Sequence, residues 1–145
     1  MNTYEEMKNR QQKEFDSFPL GAAFSKEQFK DMMAKWGFSP TDTDKIYSIS
    51  AGCYIRKTDS EKLNALMVRL TKEKKDAIAA DKTGDGFIYD MFLYELANHE
   101  YCITYDLEDT LDALDLTMEQ INADKRLTHG LKKAIKAYLK NAKNY

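Results

Sequence analysis

At 145 residues the chain has the length of one domain, enough to bury about two-thirds of its unfolded surface around a core. Charged residues make up 32% and aromatics 12%, which excludes a disordered tail on one side and a membrane span on the other. Net charge is only -2 but unevenly spread: residues 1–120 hold 15 Lys/Arg against 23 Asp/Glu, and residues 121–145 hold 7 against 1.

The first segment, MNTYEEMKNRQQKEF, is charged from its fifth residue and has no apolar run, so neither a signal peptide nor an anchor is expected and a cytoplasmic location is. A helix is predicted from Thr3 to Ser17, ended by Pro19 and Gly21. Ser25 with Gln28 forms a capping box before Phe29, Met32, Met33 and Trp36, whose i, i+3, i+4, i+7 spacing predicts a second helix closed by Gly37. After the turn-rich FSPTDTD, the runs KIYSIS and CYIRK flank Ala51-Gly52 and predict a β-hairpin.

Thr58 with Glu61 makes another capping box, opening a long helix with Leu63, Leu66, Met67, Leu70, Ala77 and Ile78 as its apolar stripe. It ends before TGDG, and Ile88, Met91, Phe92 and Leu96 mark a fourth helix from Phe87 to Glu100. YCITYDL reads as a further strand joining the hairpin. Glu108–Leu114 and Thr117–Ala123 read as two short helices. Leu127, Leu131, Ala134, Ile135, Tyr138, Leu139 and Ala142 form the apolar stripe of a final helix with lysines opposite. The sum is an α+β, predominantly α-helical fold, a single domain over residues 1–145 with a small β-hairpin or short sheet packed on helices.

DKTGDGFIYDMF, Asp81 to Phe92, has the outline of a calcium loop. Asp81, Thr83, Asp85 and Gly86 suit positions 1, 3, 5 and 6, but Tyr89 and Phe92 stand at 9 and 12, where a ligand and a bidentate Glu belong. A helix-to-helix turn with Gly84 or Gly86 at positive φ is the plainer reading. His99 and Cys102 have the spacing of half a zinc site, with Cys53 and His129 as candidates to complete it, yet the second short-spaced pair is missing. With only two cysteines, reduced thiols are expected. No metal and no cofactor is therefore expected.

Arg56 and Lys57 precede a helix start at Thr58, Asp59 and Ser60, where two cations beside free amides would suit a nucleotide or cyclic nucleotide, with Arg56, Lys57, Thr58 and Ser60 as its ligands. Asp59 already places a negative charge there, so simple capping competes with that reading. The basic last helix, with Lys125, Arg126, Lys132, Lys133, Lys136, Lys140 and Lys143, offers phosphate contacts but not the Arg, Asn or Gln of base readout. A solvated face is the plainer account, and non-specific nucleic-acid contact by this basic C-terminal helix is the weaker alternative.

The stretch from Asp85 to Asp124 holds 11 acids and no Lys or Arg. Asp85, Asp90, Glu95, Glu100, Asp106, Glu108, Asp109 and Asp112 are interleaved with Tyr89, Tyr94, Tyr101 and Tyr105. Carboxylates to pair with Arg and Lys, and rings to stack on guanidinium, are what a basic nucleic-acid-binding groove would meet. A solvated acidic face with tyrosines in the core is the alternative. No nucleophile elbow, phosphate loop or His-Glu-x-x-His helix is present, so an enzyme is not expected.

At IYSISAGCYIRKTD and GFIYDMFLYELANHEYC the sequence resembles a family of small uncharacterised proteins from phages and integrated elements of Gram-positive bacteria. The resemblance implies a setting in which short proteins bind and inhibit one host protein or sequester one small signal. The expected function is a non-enzymatic interaction protein, such as a phage or mobile-element inhibitor of a bacterial defence system (anti-CRISPR-like). Its acidic, tyrosine-bearing surface would occupy the basic groove of a nucleic-acid-binding host protein. The small-ligand site at Arg56 and Lys57 is the competing class.

Overall fold

The structure, a computed structural model, describes residues 1–101 and 105–142. Among these the fold is α+β and mainly helical, with one small antiparallel sheet, as the sequence predicts. By internal contacts the chain divides into two units, Met1–Gln11 with Lys72–Tyr145, and Gln12–Thr71. Two helices, α1 (Thr3–Asp16) and α3 (Ser60–Ala80), each have residues in both.

In the unit Gln12–Thr71, strand β1 (Gly21–Ala22) precedes α2 (Lys26–Lys35), and β2 (Ile46–Ser50) and β3 (Cys53–Arg56) form the hairpin. Ser25 accepts the Gln28 amide at its Oγ, as expected for an N-cap. Gln28 reaches back to the amide of Phe24, one residue before the cap. Gly37 follows the helix at φ +76, a conformation that costs a residue without Cβ little.

Gly52 closes the hairpin at φ +74, and the register Ile46↔Arg56, Tyr47↔Ile55, Ser48↔Tyr54 shifts between Ser48 and Ser50. Ala23, Met32, Met33 and Ile46 form this unit's core, with Phe29, Trp36, Phe38 and Tyr54 against it.

The sheet has the order β1-β3-β2. Among the described residues its third strand is Gly21–Ala22, where the sequence suggests only a stop. Of YCITYDL, expected as a further strand, Cys102 to Thr104 lie outside the described residues, while Tyr101 is helical and Asp106 and Leu107 are not in a strand. At Gly21 a Cβ would fall 2.4 Å from Met32 Sδ, so a larger residue would force Met32 and Trp36 to shift where β1 meets α2.

Two further expectations are corrected. The chain enters α3 through a 3-10 turn, Lys57–Asp59, with Ser60 Oγ donating to the Lys57 carbonyl, so Thr58 is not the N-cap. Buried Asp59 needs a cation, and Arg56 Nε supplies it at 2.8 Å, drawing the turn tight. Met67, expected on the buried stripe, is 45% exposed; Leu66 and Leu70 take the buried positions.

In the other unit, α4 (Phe87–Asn98), α5 (Glu108–Leu114), α6 (Met118–Ala123) and α7 (Lys125–Ala142) surround one core. Ile88, Met91, Phe92 and Leu96 of α4 are fully buried, packed with Leu111, Leu114, Ile121, Leu127, Leu131 and Ala134, and with Tyr4 and Met7 of α1. Burying each large apolar side chain stabilises the fold by roughly 1.5–3 kcal/mol. Thr117 and Gln120 close the full reciprocal capping box at the start of α6. Helices α4 and α7 approach closely at Gly130, where a Cβ would lie 2.5 Å from Ile88 Cγ2 and 2.8 Å from the Gly84 carbonyl oxygen.

Candidate functional site

The loop between α3 and α4 is built around the Asp81 carboxylate. It accepts the amides of Gly84 at 2.9 Å, Gly86 at 3.0 Å and Ile88 at 3.0 Å. Burial alone would push this carboxyl up, but the backbone amides outweigh it and hold it below the usual carboxylate range. Gly84 takes φ +88, with the Arg126 carbonyl where a Cβ would go. Arg126 in turn donates to the carbonyls of Ile78 and Asp81 and to Asp124. These are the parts of a tied turn, in which Asp81 gathers the backbone amides of the loop.

Asp85 is bonded at Oδ1 by His129 Nε2 at 2.7 Å and by Lys133 at 3.0 Å. His129 and then Lys133 hold its carboxyl below the usual range. Lys133 also lies 4.8 Å over the Tyr89 ring, so Asp85 and Tyr89, both expected at a partner surface, are engaged by α7. Asp90 accepts the Thr3 amide at 2.9 Å and the Thr3 hydroxyl at 2.6 Å, serving the start of α1.

Glu95 is the clearest correction. It is fully buried and cannot touch a partner. Its Oε1 accepts from the Tyr4 hydroxyl and the Lys8 ammonium, each at 2.8 Å, and Thr110 Oγ1 donates to its carbonyl. Burial would push the Glu95 carboxyl up, but hydrogen bonds from Lys8 and Tyr4 hold it below its ordinary range. Tyr4 is pushed upward by burial and by Glu95, so it donates and does not act as a base. Tyr94 belongs to the same cluster, 5.6 Å from Tyr4 and beneath Lys8.

The sequence holds a signal for this burial. Glu95 stands seven residues after Ile88, on the same helical face as Met91 and Phe92. His99 Nε2 lies 3.2 Å from Glu95 Oε2, without the alignment of a hydrogen bond. Cys102, its proposed zinc partner, and Lys143 lie outside the described residues. Cys53 is a half-buried free thiol, and among the described residues no three His, Cys, Asp or Glu side chains gather.

The remaining acids are on the surface. Glu100, Asp106, Glu108, Asp109 and Asp112 are exposed, and Tyr105 is 66% exposed at φ +53. Tyr101 is half-buried and meets Tyr105 edge to face at 5.8 Å. Among the described residues, Glu100, Glu108, Asp109 and Asp112 have no Lys, Arg or His within ion-pair distance. The structure thus divides the sequence-predicted acidic set. Asp85, Tyr89, Asp90, Tyr94 and Glu95 are tied into the fold, while Glu100, Asp106, Glu108, Asp109 and Asp112 are exposed to solvent.

At the alternative ligand site several of the side chains contact other groups of the protein. Arg56 is paired with Asp59, Lys57 lies 4.8 Å over the Tyr47 ring, and Ser60 Oγ donates to the Lys57 carbonyl. Thr58 is exposed within the 3-10 turn. On the basic helix, Lys132, Lys136 and Lys140 are exposed, whereas Arg126 and Lys133 are engaged. Among the described residues, no helix is long and apolar enough to cross a membrane.

Comparison with curated proteins and with solved structures gives no match. The family described as "Family of unknown function (DUF7659)" matches residues 3–137, from the start of α1 almost to the end of α7, and the chain belongs to that family.

Proposed function

We propose that the protein is a non-enzymatic interaction protein that offers Glu100, Asp106, Glu108, Asp109 and Asp112, with Tyr105 and Tyr101 beside them, to a partner with a basic surface. The reading rests on one observation: Tyr105 is 66% exposed next to carboxylates of which Glu108, Asp109 and Asp112 have no basic neighbour among the described residues. An acidic side chain and a phosphate make the same charge-assisted hydrogen bonds to Arg and Lys, so the fitting partner is a protein that otherwise binds nucleic acid. The resemblance to small phage and mobile-element proteins gives the setting, in which the partner is a host defence protein and binding blocks its groove.

The test is capture from a bacterial lysate by wild type and by an E108K/D109K/D112K variant whose circular dichroism is unchanged. A protein held by wild type, released by added nucleic acid and lost with the variant is the expected result. Equal capture by both would remove this surface from consideration.

A further inference from the structure

The unit Gln12–Thr71 carries an open groove of about 570 Å³ beside the start of α2. Phe24, Phe29, Pro40 and Tyr54 form its apolar wall, and Lys26 and Lys30, one helical turn apart, stand at its rim. Its volume lies within the roughly 300–1,000 Å³ of small-molecule sites. Phe24 is 79% exposed, yet it is no loose end. Its amide donates to Gln28 Oε1 at 2.7 Å, and its ring covers Gly52, where a Cβ would come within 2.2 Å of it. Phe29 and Tyr54 brace each other edge to face at 5.5 Å. An aromatic wall is held in place with one side open to solvent.

The charged side chains that line this wall have one sign. The lining contains two lysines and no carboxylate, and among the described residues neither Lys26 nor Lys30 forms an ion pair. Lys26 is also the first residue of a ten-residue helix, whose first turn carries Glu27 and whose Gln28 amide is taken by Ser25 Oγ, so the two lysines are the cationic groups of the lining. Apolar wall and cationic rim together select one chemistry. We infer that the groove binds a small amphipathic anion, an aromatic or short aliphatic body carrying one carboxylate, sulfonate or phosphate. The body would lie on Phe24, Phe29 and Tyr54, and the acid group would lie between Lys26 and Lys30.

The test is a titration of the isotope-labelled full chain, followed by amide chemical shifts, with anilinonaphthalene sulfonate as the anionic probe and phenylnaphthylamine as its uncharged counterpart. Saturable shifts at Phe24, Ser25, Gly52 and Tyr54 are expected, with affinity for the sulfonate falling about tenfold in a K26A/K30A variant. Affinity for the uncharged probe should stay the same. Both lysines are exposed, so the variant should keep the wild-type spectrum elsewhere. Shifts that do not saturate or lie elsewhere would overturn the inference, as would sulfonate binding indifferent to the lysines. An acidic, phenylalanine-containing peptide that shifts these amides where the sulfonate does not would assign the groove to a peptide instead.

Discussion

Lys8 of α1 places its ammonium 2.8 Å from Oε1 of Glu95, a carboxylate with no exposure to solvent in the middle of α4. The Tyr4 hydroxyl donates to the same oxygen, so one buried anion is held by two side chains one helical turn apart on α1. Removing the cation leaves the anion buried and unpaired. Breaking a fully buried pair costs roughly 3–5 kcal/mol, and with Lys8 44% exposed a Lys8→Met variant is expected to lose about 2 kcal/mol. Urea unfolding measures this. A K8M/E95Q double variant should recover most of the loss, because no unpaired charge remains and the Gln amide oxygen can still accept from Tyr4; a double variant as unstable as the sum of its singles would show that the pair is not coupled.

The same carboxylate gives the fold a dependence on acid. The Glu95 pKa is held below its unfolded value of about 4.3, so its contribution is complete above that value and disappears as pH falls through the folded pKa. The stability gap between wild type and Glu95→Gln is therefore expected to be largest near neutrality and to narrow below about pH 4. Chemical unfolding at several pH values reads this directly, and a gap that widens on acidification would contradict the assigned ionisation.

Gly130 sits inside α7, where alanine would ordinarily stabilise a helix by about 1 kcal/mol. The added methyl would meet Ile88 Cγ2 and the backbone carbonyl of Gly84, and a carbonyl cannot rotate away. Overpacking of this kind costs roughly 1–3 kcal/mol, so Gly130→Ala is expected to lower the melting temperature despite its better helix propensity. A raised melting temperature would mean that α4 and α7 can separate at little cost.

Asp81 accepts three backbone amides at 3.0 Å or less, and hydrogen bonds to a charged acceptor contribute roughly 1.5–3 kcal/mol. Asp81→Ala is expected to destabilise the protein by about 2 kcal/mol. Millimolar calcium should leave the wild-type melting temperature unchanged, since fully buried Phe92 stands where a calcium loop needs its bidentate carboxylate. A calcium-dependent rise in melting temperature would restore the calcium-loop reading of this segment.

The sequence by itself determined whatever depends on neighbours along the chain. Ser25 and Thr117 mark helix starts, Gly37 marks an end and Gly52 a hairpin turn, and the apolar stripe of α4 is legible at Ile88, Met91, Phe92 and Leu96, because caps, turns and helical faces act over a few residues. Tertiary structure alone decided which acids are held by distant partners. Lys8 lies 87 residues from Glu95, and His129 lies 44 from Asp85. Periodicity assigns a residue to a face without naming what packs opposite, so a run of acids that reads as one surface separates into Asp85, Asp90 and Glu95, held by distant partners, and Glu100 to Asp112, turned to solvent. The same limit hid the groove: Phe24 and Phe29 come together with Tyr54 and Pro40 only because β1 pairs with β3, an antiparallel contact between segments some thirty residues apart that no local pattern encodes.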